Sequence, residues 1–137
     1  MINFDFLKDS ISLEGKVAIV TGASRPNGQG KQVALLLAMR GARVVVTDVE
    51  KPDPGMVVDE LGIGSASLLA ATVGDIQERG GEAIGVAVDV TSKEQIESCV
   101  RKTVETFGGI DILVNNAGNF NGGKPLLETT DSDWDWG

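Results

Sequence analysis

The sequence predicts an α/β fold, a doubly wound parallel sheet in the strand order 3-2-1-4 that stops after its fourth strand. Two observations predict it. Four apolar runs, KVAIVT, ARVVVTD, EAIGVAVDV and IDILVNN, suit strands buried on both faces, as in a parallel sheet between helices. Each pair of runs is separated by enough chain for a crossover helix. Consecutive strands therefore run parallel, and right-handed crossovers leave few topologies.

The elements follow in order. Residues 1–15 read as a short leader ending in a turn at Glu14-Gly15, and residues 16–137 as the domain. Lys16 to Thr21 is the first strand, and TGASRPNGQG follows as a loop. KQVALLLAMR then runs without a breaker to Gly41, the residue type favoured just past a helix end. ARVVVTD is the second strand. Strand, glycine loop, helix and strand thus occupy about 30 residues, the span of one βαβ unit. Residues 49–64 hold two prolines and several glycines and read as a long surface loop. Ser65 to Arg79 fits a helix, because Ala66, Leu69, Val73 and Ile76 recur at helical spacing. Gly74 within it costs about 1 kcal/mol relative to alanine. Gly80-Gly81 end it, and EAIGVAVDV is the third strand. In TSKEQIESCVRKTVETFGG, Ser92 and Gln95 make a capping box. Ile96, Cys99, Val100, Thr103, Val104 and Phe107 fall on one face of that helix, and Gly108-Gly109 stop it. IDILVNNAG is the fourth strand with its exit turn, residues 119–130 a loop, and SDWDWG the start of a helix.

Composition narrows the function classes. Apolar residues make up 42% of the chain, and 18 glycines fit a globular protein with many tight turns. No run reaches the ~18 apolar residues of a membrane helix, and the acidic start MINFDFLKDS is not a secretory signal. The single cysteine, Cys99, forms no internal disulfide, which agrees with a reducing, cytoplasmic setting. A net charge of −8 argues against nucleic acid or an anionic membrane as partner. It does not argue against a phosphate ligand, which backbone N–H groups hold without any excess of Lys or Arg. There is no histidine and no tyrosine, so the commonest general base and the commonest phenolic acid are both missing. No metal site is expected, because Cys99 would have to act with carboxylates alone.

The candidate ligand site begins at the glycine loop. Gly22 turns the chain, while Gly28 and Gly30 let a pyrophosphate approach the backbone at the positive end of the following helix. The alternative is a glycine-rich turn without a ligand. A Walker loop is excluded, since Gln32 follows Gly30-Lys31 and Arg25 stands where its first glycine belongs. The fingerprint G-x-G-x-x-G fails as well, with Val33 at its third glycine. Asp48 ends the second strand, about 20 residues past the loop, where a carboxylate accepts both ribose hydroxyls of an adenosine. Its charge repels the extra phosphate of NADP, a preference that Arg25 and Lys51 soften. The alternative for Asp48 is a strand-end aspartate capping a turn.

The loop, Asp89-Val90 and IDILVNNAG together resemble the short-chain dehydrogenase/reductase family, from about Lys16 to Trp134. Asn115-Asn116-Ala117-Gly118 after an apolar strand is the most specific piece. The resemblance implies a Rossmann-type NAD(P)-binding fold in which this segment supports the sheet and passes beside the cofactor. Ala117 and Gly118 would leave room for the ribose and the nicotinamide side. Asp89 would bond the adenine amino group, and Val90 would pack on the adenine ring. On the residues alone, Asp89 also reads as a helix-entry aspartate ahead of Thr91, and the Asn-Ala-Gly stretch as a turn.

Three features depart from that family. Its loop is T-G-x-x-x-G-x-G, so Arg25-Pro26 reads as a two-residue insertion, and Pro26 has no N–H to offer a phosphate. The stretch from Pro52 to about Ser67 is long. The family's serine and Tyr-x-x-x-Lys lie downstream of NNAG, and a chain without tyrosine holds no such motif. The expectation is therefore a partial sequence: the NAD-binding portion of an oxidoreductase that interconverts a secondary alcohol and a ketone, with no catalytic residue of its own. Gly22, Ser24, Arg25, Gly28 and Gly30 would serve the phosphates and Asp48 the ribose, with NAD preferred over NADP. Asp89 and Val90 would serve the adenine, and Asn116, Ala117 and Gly118 would line the cofactor. The alternative is a non-catalytic nucleotide-binding or interaction module. A methyltransferase also grips ribose with an acid after its second strand, but NNAG and Asp89-Val90 weigh against it. The bare edge of the fourth strand and the Ile96–Phe107 helix lead to an expectation of self-association.

Overall fold

A computed structural model of the protein describes residues 11–50, 66–118 and 124–136. Strands β1 (Val17–Val20), β2 (Arg43–Asp48), β3 (Ala83–Ala87) and β4 (Ile112–Val114) form one sheet in the order β3-β2-β1-β4. All pairings are parallel, with Val20 opposite Val46 on one side and Val114 on the other. The crossovers contain α1 (Gln29–Met39), α2 (Ala66–Glu78) and α3 (Lys93–Phe107). After Val114 come a short 3-10 helix, Leu126–Glu128, and α4 (Asp131–Trp136). This is the doubly wound, Rossmann-type order the sequence predicts. The strands are shorter than the apolar runs by a residue or more at their ends. The turn expected at Glu14-Gly15 is present. Lys51 and the rest of the 51–65 stretch lie outside the described residues.

Burial explains the continuous apolar strands. On one face Val20, Val44 and Val46 pack with Ala34 and Ala38 of α1 and with Leu69 and Ile76 of α2. On the other, Ile19 and Val45 meet Val88 and Cys99. Small residues on α1 let its axis lie close to the sheet. Burial pushes the Cys99 thiol up, so it behaves as a small apolar filler rather than a nucleophile. No helix among the described residues is long and apolar enough to cross a membrane.

Two details of α3 differ from expectation. Ser92 Oγ accepts from the Gln95 N–H, but Gln95 Oε1 accepts from the Asp89 N–H rather than completing the box. The reason is local: the Ser92 N–H is already spent on the Asp89 carbonyl at 3.0 Å. The apolar stripe also divides. Cys99 and Thr103 are buried, whereas Ile96, Val100 and Val104 stay 40–45% exposed.

At the lower end of the sheet, Asp111 joins β1 to the entry of β4. Its carboxylate accepts from the Val17 N–H at 2.9 Å and from Lys16 Nζ at 3.1 Å. These two donors, the backbone one foremost, hold the Asp111 carboxyl below the usual range. A depressed folded pKa gives stability that is complete above the unfolded value, about pH 4, and lost as pH falls through the folded one. In thermal melts followed by circular dichroism, the melting temperature is expected to drop on acidification below about pH 4, and Asp111→Asn to drop less steeply. Parallel curves for the two proteins would contradict this role.

Candidate functional site

The site is built where β1, β2 and β4 end. Thr21 leaves β1 and uses every hydrogen-bonding position of its hydroxyl. It accepts from the Asn116 N–H at 3.0 Å and the Ala117 N–H at 2.9 Å, and donates to the Val114 carbonyl at 3.3 Å. Asn116 answers with its carboxamide, which donates to the carbonyls of Thr21 at 2.8 Å and Gly22 at 3.0 Å. The exit of β4 and the start of the glycine loop are thereby one unit. Gly22 has φ +65°, and a Cβ there would stand 2.8 Å from Ala117 Cα. A Cβ on Gly30 would stand 2.5 Å from both Asn116 Nδ2 and the Gly22 carbonyl oxygen. Gly30 thus has a packing reason that the sequence reading did not see: it lets α1 start against the tips of β1 and β4.

The inserted residues form a turn of their own. The Gly28 N–H donates to the Arg25 carbonyl at 2.9 Å, closing Arg25-Pro26-Asn27-Gly28. Proline in the second position suits such a turn, because its fixed φ matches it. Gly28 then precedes α1 in an extended conformation, without a side-chain cap.

Asp48 closes the other side. One carboxylate oxygen accepts from the Ser24 N–H and the other from the Val49 N–H, each at 2.9 Å. Asp48 therefore caps a turn and faces the loop at once, so the strand-end capping role is realised. It lines a cavity of about 410 Å³ together with Val49, Leu69, Val73 and Gly85. The hydroxyls of Ser24 and Thr47 are buried with no partner among the described residues. The Val88 N–H donates to the Asp48 carbonyl at 2.9 Å, which brings the Asp89-Val90 segment alongside. Asp89 Oδ1 accepts from the Thr91 hydroxyl at 2.7 Å and N–H at 2.8 Å, and these bonds, the hydroxyl first, hold its carboxyl low. Its helix-entry role is thus realised. Val90 is half-exposed beside it.

The structure so brings Gly22, Ser24, Gly28, Gly30, Asp48, Asn116 and Ala117 around one loop, with Asp89 and Val90 at its β3 side. Gly118 follows in line, and Arg25 is exposed on the inserted turn. Residues 119–123 lie outside the described residues. Thr21 and Thr72 were missed in the sequence reading. Thr72 Oγ1 of α2 donates to the Ala23 carbonyl at 3.0 Å and supports the loop from below. Thr21 had a signal, a threonine at the strand exit directly before Gly22; Thr72 had none.

A family model, short chain dehydrogenase, matches residues 16–136. The chain belongs to the short-chain dehydrogenase family. It is 38% identical over 121 residues to 7alpha-hydroxysteroid dehydrogenase of Escherichia coli, covering 88% of this chain and 40% of that one. A dehydrogenase/reductase from Sinorhizobium meliloti superposes with TM-score 0.75 at 41% identity, over 96% of this chain and 46% of its own. Carveol dehydrogenase from Mycobacterium avium, solved in complex with NAD, gives TM-score 0.77 at 32% identity, over 90% of this chain and 43% of its own. This short-chain dehydrogenase chain spans less than half the length of each of these proteins. The family is one of NAD(P)-binding oxidoreductases, and the Thr21–Asn116 unit is the joint that shapes the site in this member.

Replacing the Thr21 hydroxyl by a methyl leaves two N–H groups without their acceptor. Thr21→Val is expected to cost about 1–3 kcal/mol in urea denaturation, while Thr21→Ser loses much less. A Thr21→Val cost below about 0.5 kcal/mol would contradict the joint.

Proposed function

We propose that the chain is the NAD-binding portion of an oxidoreductase that interconverts a secondary alcohol and a ketone. The observation that carries the proposal is the fixed position of Asp48 against the glycine loop, with its carboxylate held by the Ser24 and Val49 N–H groups. A carboxylate has lone pairs left after two such bonds, enough to accept ribose hydroxyls as well. The main-chain N–H groups of the first turn of α1, which starts directly after Gly28, suit the phosphates beside it. Arg25, exposed on its turn, adds charge to the same side. Asp89 and Val90 bind adenine in this reading, and Asn116, Ala117 and Gly118 pass beside the cofactor.

When bound, the dinucleotide supplies the hydride acceptor or donor. The residues of this chain bind and orient it and exclude water from its middle. They do not supply the proton transfer, because the chain has neither tyrosine nor histidine. In the family that step belongs to a serine and a Tyr-x-x-x-Lys segment, and no tyrosine occurs in these 137 residues. The names of two relatives, a hydroxysteroid dehydrogenase and a carveol dehydrogenase, support an alcohol as substrate. The reading includes a cytoplasmic setting, supported by the single buried cysteine. It also includes self-association, supported by the outer edge of β4, unpaired among the described residues, and by the exposed Ile96, Val100 and Val104.

Cofactor choice follows from charge. Asp48 and the extra phosphate of NADP repel when partly desolvated. By calorimetry NAD is expected to bind about 10-fold or more tightly than NADP. Asp48→Ala is expected to cost NAD about 1.5–3 kcal/mol. Equal affinity for the two cofactors would overturn the role of Asp48.

A further inference from the structure

The two sides of the glycine loop differ in chemistry. On the β2 side the cavity is lined by the carboxylates of Asp48 and Glu50. On the β4 side lies a groove of about 600 Å³ whose polar lining consists of carboxamides: Asn27, Gln29, Gln32, Asn115 and Asn116. None of its lining residues carries a charge. Val114 and two α1 side chains complete it. Strand β1 separates β2 from β4, so the two cavities flank the loop on opposite sides.

We infer that Asn27, carried on the inserted Arg25–Gly28 turn, contacts the half of the dinucleotide beyond its diphosphate, with Asn115 lining the same carboxamide groove. The inference rests on the proposed dinucleotide reading. If the adenosine ribose meets Asp48 and the diphosphate crosses the loop, the far half of the ligand arrives on the β4 side. Two donors that would otherwise meet it there are already committed. The Gly28 N–H is bonded to the Arg25 carbonyl, and the Asn116 amide to Thr21 and Gly22. The insertion that withdraws the Gly28 N–H places the exposed Asn27 in the same groove. A carboxamide offers two N–H donors and an acceptor without charge, which suits sugar hydroxyls and a neutral amide.

The test is calorimetry with two probes, NAD and AMP, on the wild type and Asn27→Ala. Asn27 is exposed, so the variant is expected to melt as the wild type does. It should bind NAD about 3- to 10-fold more weakly, as loss of one or two hydrogen bonds implies, and AMP unchanged. A variant that binds NAD as the wild type does, or loses NAD and AMP affinity equally, overturns this inference and leaves the dinucleotide reading standing. A wild type that binds neither probe overturns that reading, and this inference with it.

Discussion

The Thr21 hydroxyl is the point on which the site depends. A single side chain at the exit of β1 accepts two N–H groups from the exit of β4, and the Asn116 amide returns two bonds to the loop. These groups sit where two parallel strands end and no ladder continues. Left unpaired in a half-buried place, each backbone N–H would cost about 1–3 kcal/mol. Their mutual satisfaction fixes the direction in which the chain leaves both strands. α1 can then start against them only if its second residue has no side chain, which is the requirement met by Gly30.

This arrangement separates what the loop needs for folding from what it presents to a ligand. Gly22 and Gly30 are consumed by packing against Ala117 and Asn116. Ala23 and Ser24 between them are buried and held by Thr47, Thr72 and Asp48, whereas Arg25, Pro26 and Asn27 stand exposed on a turn of their own. That turn closes on itself through one hydrogen bond, from the Gly28 N–H to the Arg25 carbonyl, directly before α1 starts. On the β2 side, Asp48 performs two tasks with one carboxylate, capping the strand end and facing the loop. That double use is why a structural reading and a ligand-binding reading of Asp48 do not compete.

Much of this was legible in the sequence, for reasons that can be named. The strand order followed from apolar runs long enough to be covered on both faces and from crossovers long enough to hold helices. NNAG was legible through its resemblance to the short-chain dehydrogenase family, since on the residues alone the stretch reads as a turn. The role of Gly30 was not legible, since close approach by Asn116, 86 positions away, leaves no local trace. Thr72 was hidden for the same reason: a threonine in a helix looks the same when its hydroxyl reaches another segment, here the Ala23 carbonyl. The capping box at Ser92 was half right, because sequence spacing cannot show that the Ser92 N–H is already taken by Asp89.

The central claim is that the exits of β1 and β4 form one preformed cradle for a dinucleotide. Amide hydrogen exchange with and without NAD tests it most directly. The account predicts added protection in residues 22–30 and 116–118 together, with α3 unchanged. Protection confined to one of the two segments, or absent from both while NAD is bound, would contradict it.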